Sequence, residues 1–372
     1  MIIGVPKEIK NNENRVALTP AGAHALTKLG HIVIIEKNAG VGSGIEDSEY
    51  IAAGAEICDT NKEVFGRADT IVKVKEPLES EYELFKEGQT LFTYLHLAPN
   101  PSLTKALLDK KVTGIAYETV QLPNMTLPLL APMSEVAGRM SVQVGATLLQ
   151  KYYGGSGVLL GGVSGVLPAE VVIIGGGTVG LNAAKMAVGL GARVTVMDIN
   201  ASRLAYLDDI FSGRISTLVY SEYAAAEMVK KADLLIGAVL VAGAKAPKTV
   251  SAEMVKTMKK GSVIVDVAID QGGSVETIDR ITTHDNPCYE KFGVIHYSVA
   301  NMPGAVPRTS TYALTGVTLP YLVQIAEKGA EKAMLENEAL KLGLNTYKGF
   351  VNCKAVADAL NLSYVDADTA LK

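Results

Sequence analysis

Val171-Val172-Ile173-Ile174-Gly175-Gly176-Gly177-Thr178-Val179-Gly180 decides the fold of this 372-residue chain. The first four residues are a short β-branched apolar run, which reads as a buried strand. A glycine-rich turn follows at once. Residues 181–190 then carry a helix pattern that Gly191 closes. Ala192-Arg193-Val194-Thr195-Val196-Met197-Asp198 reads as the next strand and ends on a carboxylate. This is G-x-G-x-x-G in the strand–turn–helix–strand setting that makes it a dinucleotide motif. Gly175 suits the tight turn, Gly177 a close approach of backbone to pyrophosphate, and Gly180 close packing of helix on strand. The helix N-terminus offers N–H groups and positive dipole to phosphates. Asp198 lies 18 residues beyond Gly180, where a carboxylate bonds a ribose 2′-hydroxyl and repels a 2′-phosphate. NAD is therefore expected over NADP, with Arg203 close enough to soften that selection.

The motif opens an α/β series. Further strands are expected near residues 217–219, 234–236 and 263–267, and the series runs to about residue 299. Ligands of such folds sit outside the carboxyl ends of the strands. Three segments after strands thus become candidate cofactor contacts: Val239 and Leu240; Val267, Ala268, Ile269 and Asp270; and Ser298, Val299, Ala300 and Asn301.

Upstream, strand and helix patterns alternate a second time. Strands are expected at residues 1–5, 31–36, 70–74, 90–94 and 112–116. Helices are expected at 47–53, 80–86 and 102–110, and one opens at Thr19-Pro20 with threonine as cap and proline in the first turn. Short helices between strands imply parallel crossovers. Residues 118–132 are proline-rich and lack a period. A long helix follows from 134 to about 152, then a glycine-rich loop. Residues 301–307 form a Pro/Gly hinge. Helical sequence resumes over 309–340, with a break possible at Pro320, and again over 353–360, with no sheet of its own. The expected fold class is therefore α/β with two domains. A Rossmann dinucleotide-binding domain, residues 131–305, is inserted into a Rossmann-like substrate domain, residues 1–130 and 306–372, with a cleft between them.

Composition narrows the function classes. Hydrophobic residues make up 48% and charged residues 20%, and the net charge is −4. A weakly acidic chain with no basic block is a poor partner for nucleic acid or an anionic membrane. The least polar stretch, residues 158–181, carries Glu170, Pro168 and many glycines and does not read as a membrane span. Cys58, Cys288 and Cys353 are far apart, suggest no disulfide framework, and fit a reducing, cytoplasmic setting. The opening residues show no signal-peptide pattern. The five histidines never fall at i, i+4, so no metal site is expected.

Four polar residues stand out near expected strand ends. Arg15 precedes the Thr19 cap and suits either a solvated surface or a bidentate hold on a carboxylate. Lys75 directly follows the strand 70–74. His96 follows the strand 90–94, and an imidazole there is either a packed core group or a proton carrier near neutral pH. Asp270 is a carboxylate at a strand end of the inserted domain, as a loop cap or as an acid/base.

Several motifs together resemble the alanine dehydrogenases. They are Gly4-Val5-Pro6-Lys7-Glu8, Asn14-Arg15-Val16-Ala17-Leu18-Thr19-Pro20, Lys73-Val74-Lys75-Glu76-Pro77, Tyr94-Leu95-His96-Leu97-Ala98, Pro132-Met133-Ser134-Glu135-Val136-Ala137-Gly138-Arg139, Asp266-Val267-Ala268-Ile269-Asp270-Gln271-Gly272-Gly273, and Ala300-Asn301-Met302-Pro303-Gly304 with Ala305-Val306-Pro307-Arg308-Thr309-Ser310. The resemblance covers essentially the whole chain, in order. The dinucleotide-binding subunit of proton-translocating transhydrogenase is similar at the opening and the Rossmann core, and lysine-forming relatives share the general plan.

The resemblance implies NAD-dependent oxidative deamination of L-alanine to pyruvate and ammonia, and the reverse, in a homohexamer. By the same resemblance Arg15 and Lys75 hold the substrate, His96 is the main acid/base and Asp270 the second. Ser134, Thr178, Val179, Asp198, Arg203, Val239, Leu240, Ile269, Ser298 and Asn301 line the cofactor. Two departures stand out. Where relatives usually carry a serine against the adenosine, this chain reads Tyr220 and then Ser221. The segment from Asp270 to Asn301 is one residue longer than usual. The alternative functions are a transhydrogenase subunit, which passes hydride to a partner's nucleotide, and a non-catalytic NAD sensor. The set of Lys75, His96 and Asp270 argues against both.

Overall fold

A computed structural model describes residues 1–239 and 246–372. Its two compact units are Met1–Met133 with Val306–Lys372, and Ser134–Ala305. The first boundary therefore falls three residues beyond the expected one.

The first unit begins with β1 (Ile2–Val5), α1 (Pro20–Lys28), β2 (Ile32–Glu36), α2 (Asp47–Ala52), β3 (Glu56–Cys58), α3 (Asn61–Arg67), β4 (Thr70–Val72), α4 (Glu79–Tyr82), β5 (Thr90–Thr93), α5 (Pro101–Asp109) and β6 (Thr113–Ala116). Local chemistry sets the helix starts. The Thr19 hydroxyl accepts the Gly22 N–H at 3.3 Å before Pro20, and the Asn100 side chain accepts the Leu103 N–H at 3.2 Å before Pro101. In both cases a side chain satisfies a donor the helix cannot, and proline takes a first-turn position where no N–H is needed. All six strands are parallel, in the order β3-β2-β1-β4-β5-β6. The chain thus winds out from β1 to one side, returns, and winds out to the other from β4. Phe65, Ile71, Leu91, Leu103 and Leu107 fill a buried core beneath the sheet.

The second unit repeats the plan. The helix α6 (Ala131–Leu148) leads into it, followed by β7 (Glu170–Ile174), α7 (Thr178–Gly189), β8 (Arg193–Asp198), α8 (Ala201–Phe211), β9 (Ser216–Val219), α9 (Glu222–Lys231), β10 (Leu234–Gly237), α10 (Ala252–Lys256), β11 (Val263–Asp266), β12 (Cys288–Lys291) and β13 (Val294–Tyr297). The strand order is β12-β13-β11-β10-β7-β8-β9, parallel except for β12, which runs antiparallel to β13 at the edge. Val172, Ile174, Met197, Leu235 and Ile264 anchor its core.

The chain then returns to the first unit as α11 (Pro307–Lys328), α12 (Ala330–Glu336), α13 (Glu338–Lys341), β14 (Leu344–Tyr347), β15 (Phe350–Val351), α14 (Lys354–Leu360) and α15 (Ala367–Ala370). The long helix continues through Pro320 and ends at Gly329, whose φ of +78° only glycine adopts readily. The sequence pattern leaves this segment without strands, but β14 pairs antiparallel with β6, and β15 with β14. The strands are four and two residues long and hold a polar Asn345, so period-2 patterning is too short to register. Residues 56–67 also escape notice: β3, Glu56-Ile57-Cys58, has a single aliphatic residue, and α3 is polar apart from Val64 and Phe65.

Where β1 and β4 lie side by side and the winding changes sides, a buried ionic cluster ties their exits together. The Lys73 ammonium lies 2.9 Å from Glu81 and 3.3 Å from Glu8, and all three side chains are at most 3% exposed. Glu8 also accepts the Val74 N–H at 2.6 Å. Burial pushes the Glu8 carboxyl up and Lys73 pulls it back, leaving it above the ordinary value. Such a raised carboxyl binds more protons folded than unfolded, so its contribution to stability fades as pH rises through the folded pKa. Lys73→Met strands two buried carboxylates and should cost about 3–5 kcal/mol in urea unfolding. The loss should be smaller near about pH 5 than near about pH 7, because protonation relieves the raised carboxyl.

Candidate functional site

In the second unit the glycine turn has the geometry its motif requires. Gly175 takes φ +106°, and a Cβ there would lie 2.6 Å from the Ala238 carbonyl oxygen. A Cβ on Gly180 would lie 1.9 Å from the Gly175 carbonyl oxygen, so helix and turn touch through bare backbone. A Cβ on Gly177 meets nothing within 4 Å. Gly177 is the N-cap of α7 and supplies no side-chain cap. The first N–H groups of the 12-residue helix, with Thr178 and Val179 in its first turn, therefore face an open approach suited to an anion.

Two side chains brace this turn. Asp198, at the end of β8, accepts the Gly176 N–H at 2.6 Å and the Asn200 N–H at 2.9 Å. Arg203 donates from Nε to the Gly176 carbonyl and from Nη2 to the Gly177 carbonyl at 3.3 Å. Its guanidinium also lies 4.8 Å from the centre of the Tyr206 ring. The arginine is thus a strut of the turn. Tyr220 lies beyond β9 and donates its hydroxyl to the Thr249 carbonyl at 2.8 Å. Ser221 caps α9 by accepting the Ala224 N–H at 3.2 Å.

Val239 follows β10, half-buried. Leu240 lies outside the described residues. After β11 the chain forms a tight 3-10 turn, Val267–Gln271, in which Ala268 and Ile269 are buried, Val267 is half-buried and Asp270 is exposed. The turn hangs on Asp266, a fully buried carboxylate that accepts the N–H groups of Ala268, Ser274 and Val275 at 3.0, 2.6 and 3.0 Å. Burial pushes its pKa up, and these hydrogen bonds pull it back only in part. After β13, Ser298 and Val299 are buried, and the Ser298 hydroxyl donates to the Arg280 carbonyl at 2.9 Å. Ala300 and Asn301 are half-buried, and Asn301 takes a left-handed φ of +63°. Ser134 sits half-buried in the first turns of α6.

In the first unit, Arg15 is 2% exposed, which removes the reading as a solvated arginine. Glu13 holds its guanidinium at two points, 2.7 Å at Nε and 2.5 Å at Nη2, and Nη1 approaches the Met133 sulfur at 3.1 Å. A bidentate partner of this kind fixes the plane of the guanidinium. Lys75 is half-buried beyond β4, and Glu8 lies 3.4 Å from its backbone N–H. His96, beyond β5, has an exposed side chain and a left-handed backbone with φ +47°. Glu118 secures this uncommon conformation. Its carboxylate accepts the His96 N–H at 2.6 Å and the Leu95 N–H at 3.1 Å, and lies 3.8 Å from His96 Nδ1.

Tyr94 connects these groups. Its ring stacks on the His96 imidazole at 5.9 Å, and its hydroxyl donates to the Leu129 carbonyl at 2.6 Å. Burial pushes the phenol well up, with Arg15 pulling it down and Glu118 pushing it further. The first unit therefore gathers Arg15, Tyr94 and His96 around the exits of its central strands, and Glu8 ties in the Lys75 backbone. Glu8, Glu13, Tyr94 and Glu118 are supporting residues that sequence reading missed. Glu13 and Tyr94, each two residues from a singled-out side chain, are near it in sequence, whereas Glu8 and Glu118 meet their partners only through the fold.

Gly177→Ala should leave thermal unfolding of the second unit essentially unchanged but weaken nucleotide binding followed by fluorescence. Gly180→Ala should destabilise it by about 1–3 kcal/mol through overpacking. Equal effects of the two substitutions on stability would contradict the geometry.

Comparison with known proteins shows the family. Residues 4–137 match the family model "Alanine dehydrogenase/PNT, N-terminal domain", and residues 141–354 match "Alanine dehydrogenase/PNT, C-terminal domain". A curated alanine dehydrogenase of Methanococcus maripaludis is 70% identical over 371 residues, covering 100% of both chains. A solved structure described as an L-alanine dehydrogenase superposes with a TM-score of 0.94 at 53% identity, over 97% of this chain and 99% of the other. A solved transhydrogenase from Sinorhizobium meliloti is more distant, at TM-score 0.81 and 27% identity, over 94% of this chain and all of the other.

Proposed function

The chain belongs to the alanine dehydrogenase/PNT family, and from that membership we propose that it catalyses the reversible, NAD-dependent oxidative deamination of L-alanine to pyruvate and ammonia. The observation that carries this reading is the set of Arg15, Lys75 and His96 in the connections that follow β1, β4 and β5, each held through a carboxylate that touches its guanidinium or its backbone. A transhydrogenase subunit, the alternative, corresponds to the more distant match.

The first unit's residues take the substrate. Arg15, its plane fixed by Glu13, holds the alanine carboxylate. Lys75 holds the region that becomes the pyruvate carbonyl. His96 moves protons at the substrate nitrogen and oxygen, work for which an imidazole is suited near neutral pH. Asp270, exposed on its turn in the second unit, takes the second proton or holds the water that displaces ammonia. Net, alanine, water and NAD give pyruvate, ammonium, NADH and one proton.

For the cofactor, the uncapped start of α7 and the open face at Gly177 suit the pyrophosphate. Ser134, Thr178, Val179, Val239, Leu240, Val267, Ala268, Ile269, Ser298, Val299, Ala300 and Asn301 are assigned to the cofactor's surroundings. When bound, the nicotinamide supplies the hydride acceptor. Asp198 favours NAD over NADP, and Arg203, engaged with the Gly176 and Gly177 carbonyls, is poorly placed to attract a 2′-phosphate. The hydroxyl of Tyr220 is committed to Thr249, which leaves its ring as the part that can meet an adenosine. A homohexamer and a cytoplasmic setting complete the proposal. The second is suited to the free thiols of Cys58, Cys288 and Cys353.

Purified protein given L-alanine and NAD alone should form NADH, and pyruvate with ammonium should consume it. No turnover without a second nucleotide-binding partner would instead favour the transhydrogenase reading. His96→Ala should lower kcat about 10²–10⁴-fold. Asp198→Ala should narrow the ratio of NAD to NADP kcat/KM, and an unchanged ratio would count against the ribose contact.

A further inference from the structure

We propose that Lys248 is a positioning residue for Asp270, its ammonium clamping from one side the loop that Asp266 holds from the other. The inference rests on Asp270 as the second acid/base. The loop runs from residue 267 to 275. It opens with the five-residue 3-10 turn that carries Asp270 at its fourth position. Such a turn is short, with poor hydrogen-bond geometry of its own, so the position of Asp270 depends on what holds the loop.

Residues 246–250 run beside it. The Ala246 N–H donates to the Gln271 carbonyl at 2.9 Å, and the Thr249 N–H to the Ser274 carbonyl at 2.8 Å. Between these two bonds lies Lys248. Its Nζ donates to the carbonyls of Gly272 at 2.7 Å, Gly273 at 2.9 Å and Val275 at 3.4 Å. Among the described residues it has no carboxylate within ion-pair distance, so three backbone oxygens take all its donors. Asp266 meanwhile accepts three N–H groups and the Ser274 hydroxyl, at 3.2 Å, of the same loop.

One short loop thus has a cation on its carbonyls and an anion on its amides. Gly273 lies near both. Its φ is +75°, and a Cβ there would lie 3.0 Å from Asp266 Oδ2 and 3.6 Å from Lys248 Nζ. Hydrogen bonds to ionised groups are roughly twice as strong as neutral ones, and on the one peptide they share, Gly273–Ser274, the two charges polarise it in the same sense. An exposed lysine ordinarily keeps its rotamer freedom in water. Here that freedom is spent fixing a turn.

The test uses the full-length enzyme with Lys248→Met, Lys248→Arg and Asp270→Asn. Lys248 is exposed, so both of its variants should fold. Displacing a reacting group by about 1 Å costs up to ~10²-fold. Lys248→Met should therefore lower kcat by about 10–10²-fold while KM for alanine moves less than about threefold. Lys248→Arg, which keeps the cation and its donors, should recover most of the turnover. Hydrogen exchange of the 267–275 amides should quicken in Lys248→Met, while exchange at the start of α7 stays as in the parent. Wild-type kcat in Lys248→Met beside an inactive Asp270→Asn overturns the positioning role. So does a loss that Lys248→Arg does not repair. If Asp270→Asn keeps full turnover, the acid/base reading of Asp270 fails instead, and exchange alone judges the clamp: quickened exchange supports it and unchanged exchange overturns it.

Discussion

The contact of Lys73 with Glu8 and Glu81 fixes the exits of β1 and β4, and with them the backbone at Lys75. An ammonium sealed at the exits of β1 and β4 must keep its carboxylates close, because each charge is costly to bury alone. Glu8 is thereby held at the exit of β1, where its second oxygen takes the Val74 N–H and reaches the Lys75 N–H. The backbone that launches the Lys75 side chain is thus set by a salt bridge pointing the other way. Glu13 and Arg15 repeat the device one loop further on, and Glu118 does so for His96 by accepting its N–H. In each case a carboxylate orients a residue assigned to the substrate without being assigned to it itself.

Both units use one winding, out from a central strand to one side and then to the other. The reversal leaves the exits of two adjacent parallel strands diverging, which is where such folds accept ligands. The units fill that opening differently. In the second, backbone does the work: Gly175 and Gly180 bring turn and helix into contact, and the open face at Gly177 is left for phosphate. In the first, the same place holds buried charge. A winding that is indifferent to chemistry thus yields a glycine-built turn with an open face in one unit and carboxylate-held polar side chains in the other.

The legible part of the sequence was whatever repeats or punctuates. The glycine turn, the apolar strands β7, β8, β10 and β11, and the Thr19-Pro20 helix start all read directly. Arg15, Lys75, His96 and Asp270 stood out because they follow strands or precede a cap. The strands β3, β14 and β15 did not read, because Glu56-Ile57-Cys58, Leu344-Asn345-Thr346-Tyr347 and Phe350-Val351 lack the apolar run that marks the equally short β10 and β11. The carboxylates behind the site did not read either. Glu118 lies 22 residues from the N–H it accepts, and Glu8 lies 66 from Val74. Pairings at such separations exist only once the fold has closed. Arg203 is the instructive case: five residues past Asp198 it reads as able to soften the preference for NAD, and in the fold it is bonded to the carbonyls of the turn itself.

The strand β14 belongs to the sheet of the first unit, yet it is the last but one to be synthesised. Until residue 344 has left the ribosome, β6 stands at an open edge, although its residues are all buried in the finished protein. The second unit is contiguous in the chain and carries no such debt. Vectorial synthesis therefore favours an order in which the inserted unit matures while its host still waits for its final strands. An open edge of unpaired backbone is what other chains pair with. The interval between residues 116 and 344 is accordingly when this protein is most exposed to misassembly, and a nascent chain stalled there would be a natural client for chaperones that shield strand edges.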